Sequence, residues 1–253
     1  MNAELLVESR QILPITRRRV GDFDLWMRAE EAACRWDLEV TEPILAGDEY
    51  ELEPLVARGH TPGWILDVGA HIGAFTLRAK HHWPEARVVA VEPDPDSAAL
   101  LRRNVGELPG VEILEAALVG RGDLPQVRLR QAGRFNADHN AAASSVEEVN
   151  APLAERYPAA TTVVPAVGIV ELLERRGKPE IDLLKLDCEG AEAEILEALA
   201  EAGYLSRVGW IRGEWHHFPT IPRIEAALAA THIYNFHRDE APWGAFIAHR
   251  RDA

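Results

Sequence analysis

From Trp64 onward the chain alternates short apolar runs with amphipathic stretches, the pattern of parallel strands joined by helices. Strands are predicted at Trp64 to Val68, Arg87 to Glu92, Val111 to Ala116, Ile181 to Asp187 and Val208 to Glu214, each followed by a polar or glycine-containing turn. Helices are predicted at Ala74 to His82, Asp96 to Val105, Val167 to Arg176, Ala191 to Ala202 and Ile221 to Ala230, with Asp94 or Asp96 suited to cap the second. Ile233 to His237 and Gly244 to Arg250, separated by residues that include Pro242, read as an antiparallel hairpin instead. The expected fold class is α/β: a Rossmann-like, mostly parallel sheet with helices on both faces and an antiparallel C-terminal hairpin.

Two stretches break the alternation. Val20 to Gly59 reads as mixed helix and turn punctuated by Pro43 and Pro54, so residues 1–60 are expected to form a small N-terminal cap and residues 61–253 the main domain. Gln131 to Thr161 is rich in Ala, Asn and Ser. A connection of that length is expected to be a lid inserted over the site, with disorder as the alternative.

With 253 residues, 47% of them hydrophobic, the chain has enough apolar surface for one large domain. Its 41 acidic against 27 basic residues leave a formal charge of -14, which repels a polyphosphate and argues against nucleic acid as a partner. Arg17, Arg18 and Arg19 form the one local basic run and are expected in a solvated turn. Cys34 and Cys188 match neither a zinc spacing nor a disulfide framework, which suits a reducing cytoplasm. Met1 to Ile15 carries acids and Pro14 inside its apolar stretch, so neither a signal peptide nor a membrane span is expected, and no membrane partner. A homo-oligomer stays open.

The run Ile65-Leu66-Asp67-Val68-Gly69-Ala70-His71-Ile72-Gly73 puts an apolar strand before a turn with two glycines, and a helix follows. Glycine belongs where backbone must come close to a ligand. Dinucleotide-binding turns use the same device, but this one lacks G-x-G-x-x-G and places a carboxylate, Asp67, before the first glycine. That acid repels a pyrophosphate and favours a cationic ligand such as S-adenosylmethionine. Glu92, nineteen residues after Gly73, ends the next strand, where an acid can accept hydrogen bonds from both ribose hydroxyls. The cofactor-binding candidates are Asp67, Gly69, Ala70, His71, Gly73, Glu92, Pro93, Ala117 and Asp187, with small residues at Ala116 and Ala117 leaving room for an adenine. A nicotinamide-dependent oxidoreductase on a similar sheet and a non-catalytic cofactor-binding subunit are the rival readings.

The block Ile181-Asp182-Leu183-Leu184-Lys185-Leu186-Asp187-Cys188-Glu189-Gly190-Ala191-Glu192 closely resembles the hallmark of the FkbM family of methyltransferases. The turn from Asp67 to Gly73, Val91-Glu92-Pro93 and Glu214-Trp215-His216 resemble other blocks of that family, so the similarity covers roughly Glu49 to His216. Two departures are Gly168-Ile169-Val170, where the family usually has Leu-Asp-Asp, and His71, where Asn is commoner. The resemblance implies a class I methyltransferase fold and S-adenosylmethionine-dependent O-methylation of a small molecule or sugar-bearing natural product, in bacterial secondary metabolism or polysaccharide modification.

Ligands of an open parallel sheet bind beyond the carboxyl ends of the strands, which is where Asp187, Glu189, Glu214 and His216 fall. A hydroxyl acceptor loses its proton as it attacks, and His216 is the expected base, oriented by Glu214 and with Asp187 beside it. His217 and then His139 are the fallbacks. Lys185 has an alternative reading as an internal ion-pair partner of Asp187, and Glu189 or Glu192 as a helix first-turn acid. A second mechanism puts Mg2+ on Asp187, Glu214 and either His216 or Asp138.

Overall fold

The computed structural model describes residues 14–131, 145–146, 160–216, 218–237 and 243–252. It opens with a hairpin, β1 (Ile15–Val20) and β2 (Phe23–Arg28), followed by α1 (Glu31–Glu42), a single π-helical turn (Pro43–Gly47) and the short α2 (Glu53–Ala57). The main sheet begins with β3 (Trp64–Val68), α3 (Ala74–His82), β4 (Arg87–Val91), α4 (Pro95–Val105) and β5 (Val111–Leu114). Then come β6 (Ala117–Val119), β7 (Gln126–Gln131), β8 (Ser145–Val146) and β9 (Ala160–Gly168). The remainder is α5 (Ile169–Arg175), β10 (Ile181–Leu186), α6 (Glu192–Glu201), β11 (Val208–His216), α7 (Ile221–Leu228), β12 (His232–Phe236) and β13 (Trp243–Arg250).

Seven strands in the order β12-β13-β11-β10-β3-β4-β5 make the central sheet. The run from β11 to β5 is parallel, and β13 pairs antiparallel with both β11 and β12. This is the class I methyltransferase architecture expected from the sequence. Alternation along each strand divides the core between the two faces of the sheet. Leu66, Val68, Leu184 and Leu186 pack under α5, α6 and α7, whereas Ile65, Val88 and Leu183 pack with Phe75, Leu100 and the N-terminal hairpin. Asp67 and Lys185 follow the second parity and face each other across the β3 and β10 pairing. The strand order reverses between β3 and β10, and a crevice opens at the carboxyl ends of that pair.

Several expectations need correction. The segment after Val20 is not all helix and turn, because Phe23–Arg28 is a strand paired with Ile15–Val20. Arg17, Arg18 and Arg19 lie on β1 rather than in a turn, and all three are exposed. The helix expected from Val167 starts at Ile169, since Ala160–Gly168 is a strand in a second sheet ordered β6-β9-β7-β8. The strand expected over Val111 to Ala116 stops at Leu114. Asp94 is the cap of α4: its Oδ1 accepts from the backbone N–H of Asp96 (2.9 Å) and Ser97 (3.0 Å). No helix among the described residues is long and apolar enough to cross a membrane.

Candidate active site

A cavity of about 470 Å³ lies at the carboxyl ends of β3, β4, β10 and β11, with α1 and the loop before α2 forming its outer wall. Gly69, His71, Glu92, Pro93, Ala117 and Asp187 line it, together with Glu214 and His216. Asp67, Ala70 and Gly73 do not.

Those three residues build the turn from behind. Gly69 has φ +76°, and a Cβ there would lie 1.7 Å from the carbonyl oxygen of Asp187, so its glycine is required by backbone meeting backbone at the β3 and β10 ends. Gly73 has φ +99° and packs against Leu101 and Val105 of α4. Asp67 is fully buried; its Oδ2 accepts from Thr76 Oγ1 (2.6 Å) and its Oδ1 lies 3.6 Å from Lys185 Nζ. Burial pushes this carboxyl up, against the pull of the Lys185 ammonium. Lys185 donates to the carbonyl oxygen of Gly69 (2.6 Å) and lies 3.4 Å from Asp187 Oδ2. Burial by itself lowers its pKa, but Asp187 and Asp67 outweigh that and raise it. The charge of Asp67 is thus spent on Lys185 and not presented to the cavity.

Glu92 does face the cavity. Its Oε2 accepts from the His71 N–H and its Oε1 from the Asp94 N–H, both at 2.8 Å. Each oxygen retains a second lone pair. Burial, reinforced by Asp94, pushes the carboxyl to about 7.

The deeper wall is unusually acidic. Nδ1 of His216 lies 2.9 Å from Oε1 of Glu192, and Nε2 lies 3.5 Å from Glu189 and 3.7 Å from Glu214. Glu192 also accepts from the N–H groups of Cys188 (2.9 Å) and Gly190 (3.0 Å). Glu192, not the expected Glu214, therefore has the closest hold on the His216 ring. Burial disfavours the imidazolium, but Glu189 and Glu192 override it and raise His216 well above its usual range. Burial and then Asp187 push Glu214 to about 9, and Glu49 to about 7. Glu189 also rises to about 7, chiefly through burial. Tyr50 donates its hydroxyl to Asp187 Oδ2 at 3.0 Å. One ligand atom each from Asp187, Glu214 and His216 falls within 4.8 Å of the others, a set that could hold a divalent cation.

Glu49 and Tyr50 had no sequence pattern to mark them, since they sit in a connection between short helices. Glu192 was visible as a helix first-turn acid but not as the partner of a histidine twenty-four residues away. Asp138, His139 and His217, named as ligand or base candidates, lie outside the described residues.

Residues 67–237 match the family described as Methyltransferase FkbM domain. The chain is 29% identical over 216 residues to Methyltransferase sdnD of Sordaria araneosa, covering 71% of this chain and 76% of that protein. It is 32% identical over 138 residues to Ribosomal RNA small subunit methyltransferase A of Synechococcus sp. (strain JA-2-3B'a(2-13)), covering 54% of this chain and 42% of the relative. Against 2-O-methyltransferase NoeI of Sinorhizobium fredii (strain NBRC 101917 / NGR234) it is 26% identical over 136 residues, 52% of this chain and 55% of the relative. The matched span thus covers less than two thirds of the last two proteins.

Proposed function

The chain belongs to the FkbM methyltransferase family, and from that premise we propose that it methylates a hydroxyl group of a small molecule or sugar-bearing natural product. The reading is carried by one juxtaposition: Glu92 and the cluster of Asp187, Glu214 and His216 share a single cavity at the strand ends. Similarity to a 2-O-methyltransferase supports oxygen as the reacting atom. The net charge of -14 and the acidic cavity wall favour a small acceptor over nucleic acid.

Bound S-adenosylmethionine supplies a methyl group on a cationic sulfur, so the protein has to align the acceptor and take up its proton. The donor set fits that cofactor. Glu92 would hold the ribose hydroxyls through its remaining lone pairs, and Pro93, Ala117 and Leu118 would offer an apolar wall to the adenine. A positive ligand at the far end, beside Glu49, Asp187 and Glu214, would favour the ionised forms of these carboxyls and be held by them. His216 keeps its proton between Glu189 and Glu192, and its positive charge, with that of the bound cofactor, favours the ionised form of Glu214, the form in which that carboxylate receives the acceptor's proton.

Calorimetry with S-adenosylhomocysteine and NADH tests the cofactor half of this proposal. We expect the first to bind and Glu92→Ala to weaken it by roughly a hundredfold, the loss of two hydrogen bonds to a charged acceptor. Binding of NADH alone would return the oxidoreductase reading. Transfer of labelled methyl groups to a panel of hydroxylated sugars and polyketides, with ribosomal RNA as a parallel arm, tests the acceptor half. Labelling confined to the RNA would overturn the small-molecule reading.

A further inference from the structure

The family match begins at Asp67, yet the cofactor turn is held by residues that precede it. Arg28 at the end of β2 and Asp37 in α1 form a buried ion pair, Nη1 to Oδ1 at 2.5 Å, with Asp37 fully enclosed. The Arg28 N–H donates to Asp37 Oδ2 (2.9 Å), and its Nη2 donates to Ser97 Oγ (2.7 Å) at the start of α4. The pair then reaches the turn, because Asp37 Oδ1 lies 3.3 Å from Nε2 of His71. A second tie lies one residue along. Asn104 of α4 donates through Nδ2 to the carbonyl oxygens of Ile72 (2.8 Å) and Trp26 (3.0 Å), and its Oδ1 accepts from the Trp26 N–H (2.7 Å).

His71 needs such support. Its φ of +50° is left-handed, a region that costs a non-glycine residue energy unless its surroundings impose it. The same residue donates its N–H to Glu92 Oε2, so its conformation fixes where that carboxylate points. Resting on the reading that this cavity takes S-adenosylmethionine, we infer that Arg28 and Asp37 are positioning residues for the cofactor: through His71 they hold Glu92 toward the ribose. The N-terminal hairpin and α1 are then a working part of the cofactor site, although they lie outside the matched family domain.

A double-mutant cycle on S-adenosylhomocysteine affinity tests this by calorimetry on the full chain. Asp37→Asn and His71→Ala should each raise Kd by roughly tenfold, the size of one lost polar contact, and the double variant should be no weaker than either single one. Singles whose effects multiply, or a Kd within about twofold of wild type for Asp37→Asn, would overturn the inference. Should Asp37→Asn fail to fold, amide hydrogen exchange on the wild-type protein decides. The N–H groups of Trp26 and Arg28 should slow by roughly tenfold on saturation with S-adenosylhomocysteine, beyond any slowing in β12 and β13. No added protection there, with binding intact, sinks the inference and leaves the cofactor reading standing. No binding of S-adenosylhomocysteine by wild type removes both.

Discussion

Nδ1 of His216 sits 2.9 Å from Oε1 of Glu192, a carboxylate with no exposed surface. The contact joins the carboxyl end of β11 to the first turn of α6. Through the Cys188 and Gly190 N–H groups that Glu192 also accepts, it reaches the end of β10 as well. Strand ends that carry the site are thereby tied to one buried acid.

The pH dependence of that tie is the first expectation. His216 is raised in the folded state, so its contribution is complete below its ordinary value of about 6.5 and is lost as pH rises through the folded one. Burial acts to raise Glu192, but His216 and the N–H groups lower it on balance. Its contribution is therefore complete above about 4.5 and is lost as pH falls through its folded value. Glu192→Gln should accordingly lower the thermal midpoint most between about pH 4.5 and 6.5, with the gap to wild type closing on the alkaline side. Thermal unfolding across that range checks it, and a gap that stayed constant to high pH would refute it.

Glu214 shares the sign of His216 and opposes that of Glu192. Its carboxyl is pushed to about 9 by burial and Asp187, so the folded state favours the protonated form and loses stability as pH rises from about 4.5 toward 9. Glu214→Gln should flatten that decline in the unliganded protein. As the proposed proton acceptor it should also cost roughly a hundredfold or more in kcat while leaving the Kd for S-adenosylhomocysteine within a few-fold of wild type. His216→Gln should lower kcat as well. A Glu214→Gln enzyme of normal turnover would return the base role to His216.

Much of this site could be read from residue order because its parts end strands. Gly69, Glu92, Asp187 and Glu214 each close a short apolar run, and a parallel sheet brings such ends together. The direction a side chain takes was less accessible. Asp67 looked like a cofactor acid, but it lies one residue short of the end of β3, buried against Lys185 and behind the cavity that Gly69 and Asp187 line. The β1 strand was hidden by three consecutive arginines that break the apolar alternation, although Val20-Gly21-Asp22-Phe23 carries a tight-turn pattern. Glu49 and Tyr50 reach the cavity only through tertiary packing, which no local period encodes.

Gly69→Ala tests the turn itself. The added methyl would meet the Asp187 carbonyl oxygen at 1.7 Å in a backbone with φ +76°, and neither chain has a flexible group that could yield. Relief requires β3 and β10 to part at the reversal point of the sheet. The expected outcome is a loss of at least about 2 kcal/mol in unfolding free energy, together with loss of S-adenosylhomocysteine binding. Denaturant unfolding and calorimetry on the same preparation check both.

The choice between a proton acceptor and a metal ion turns on His216. A metal ligand must offer a lone pair from neutral imidazole, whereas here Nδ1 faces Glu192 and Nε2 faces Glu189 and Glu214, an environment that favours the doubly protonated ring. Asp187, Glu214 and His216 converge within 4.8 Å, but a cation placed among them would have to displace that proton. Dialysis against a chelator is therefore expected to leave kcat within about twofold of the untreated enzyme, because proton uptake by Glu214 needs no metal. A larger loss, restored by Mg2+ or Mn2+ and absent in Asp187→Asn, would make a metal the group that lowers the acceptor's pKa and would reduce Glu214 to one of its ligands.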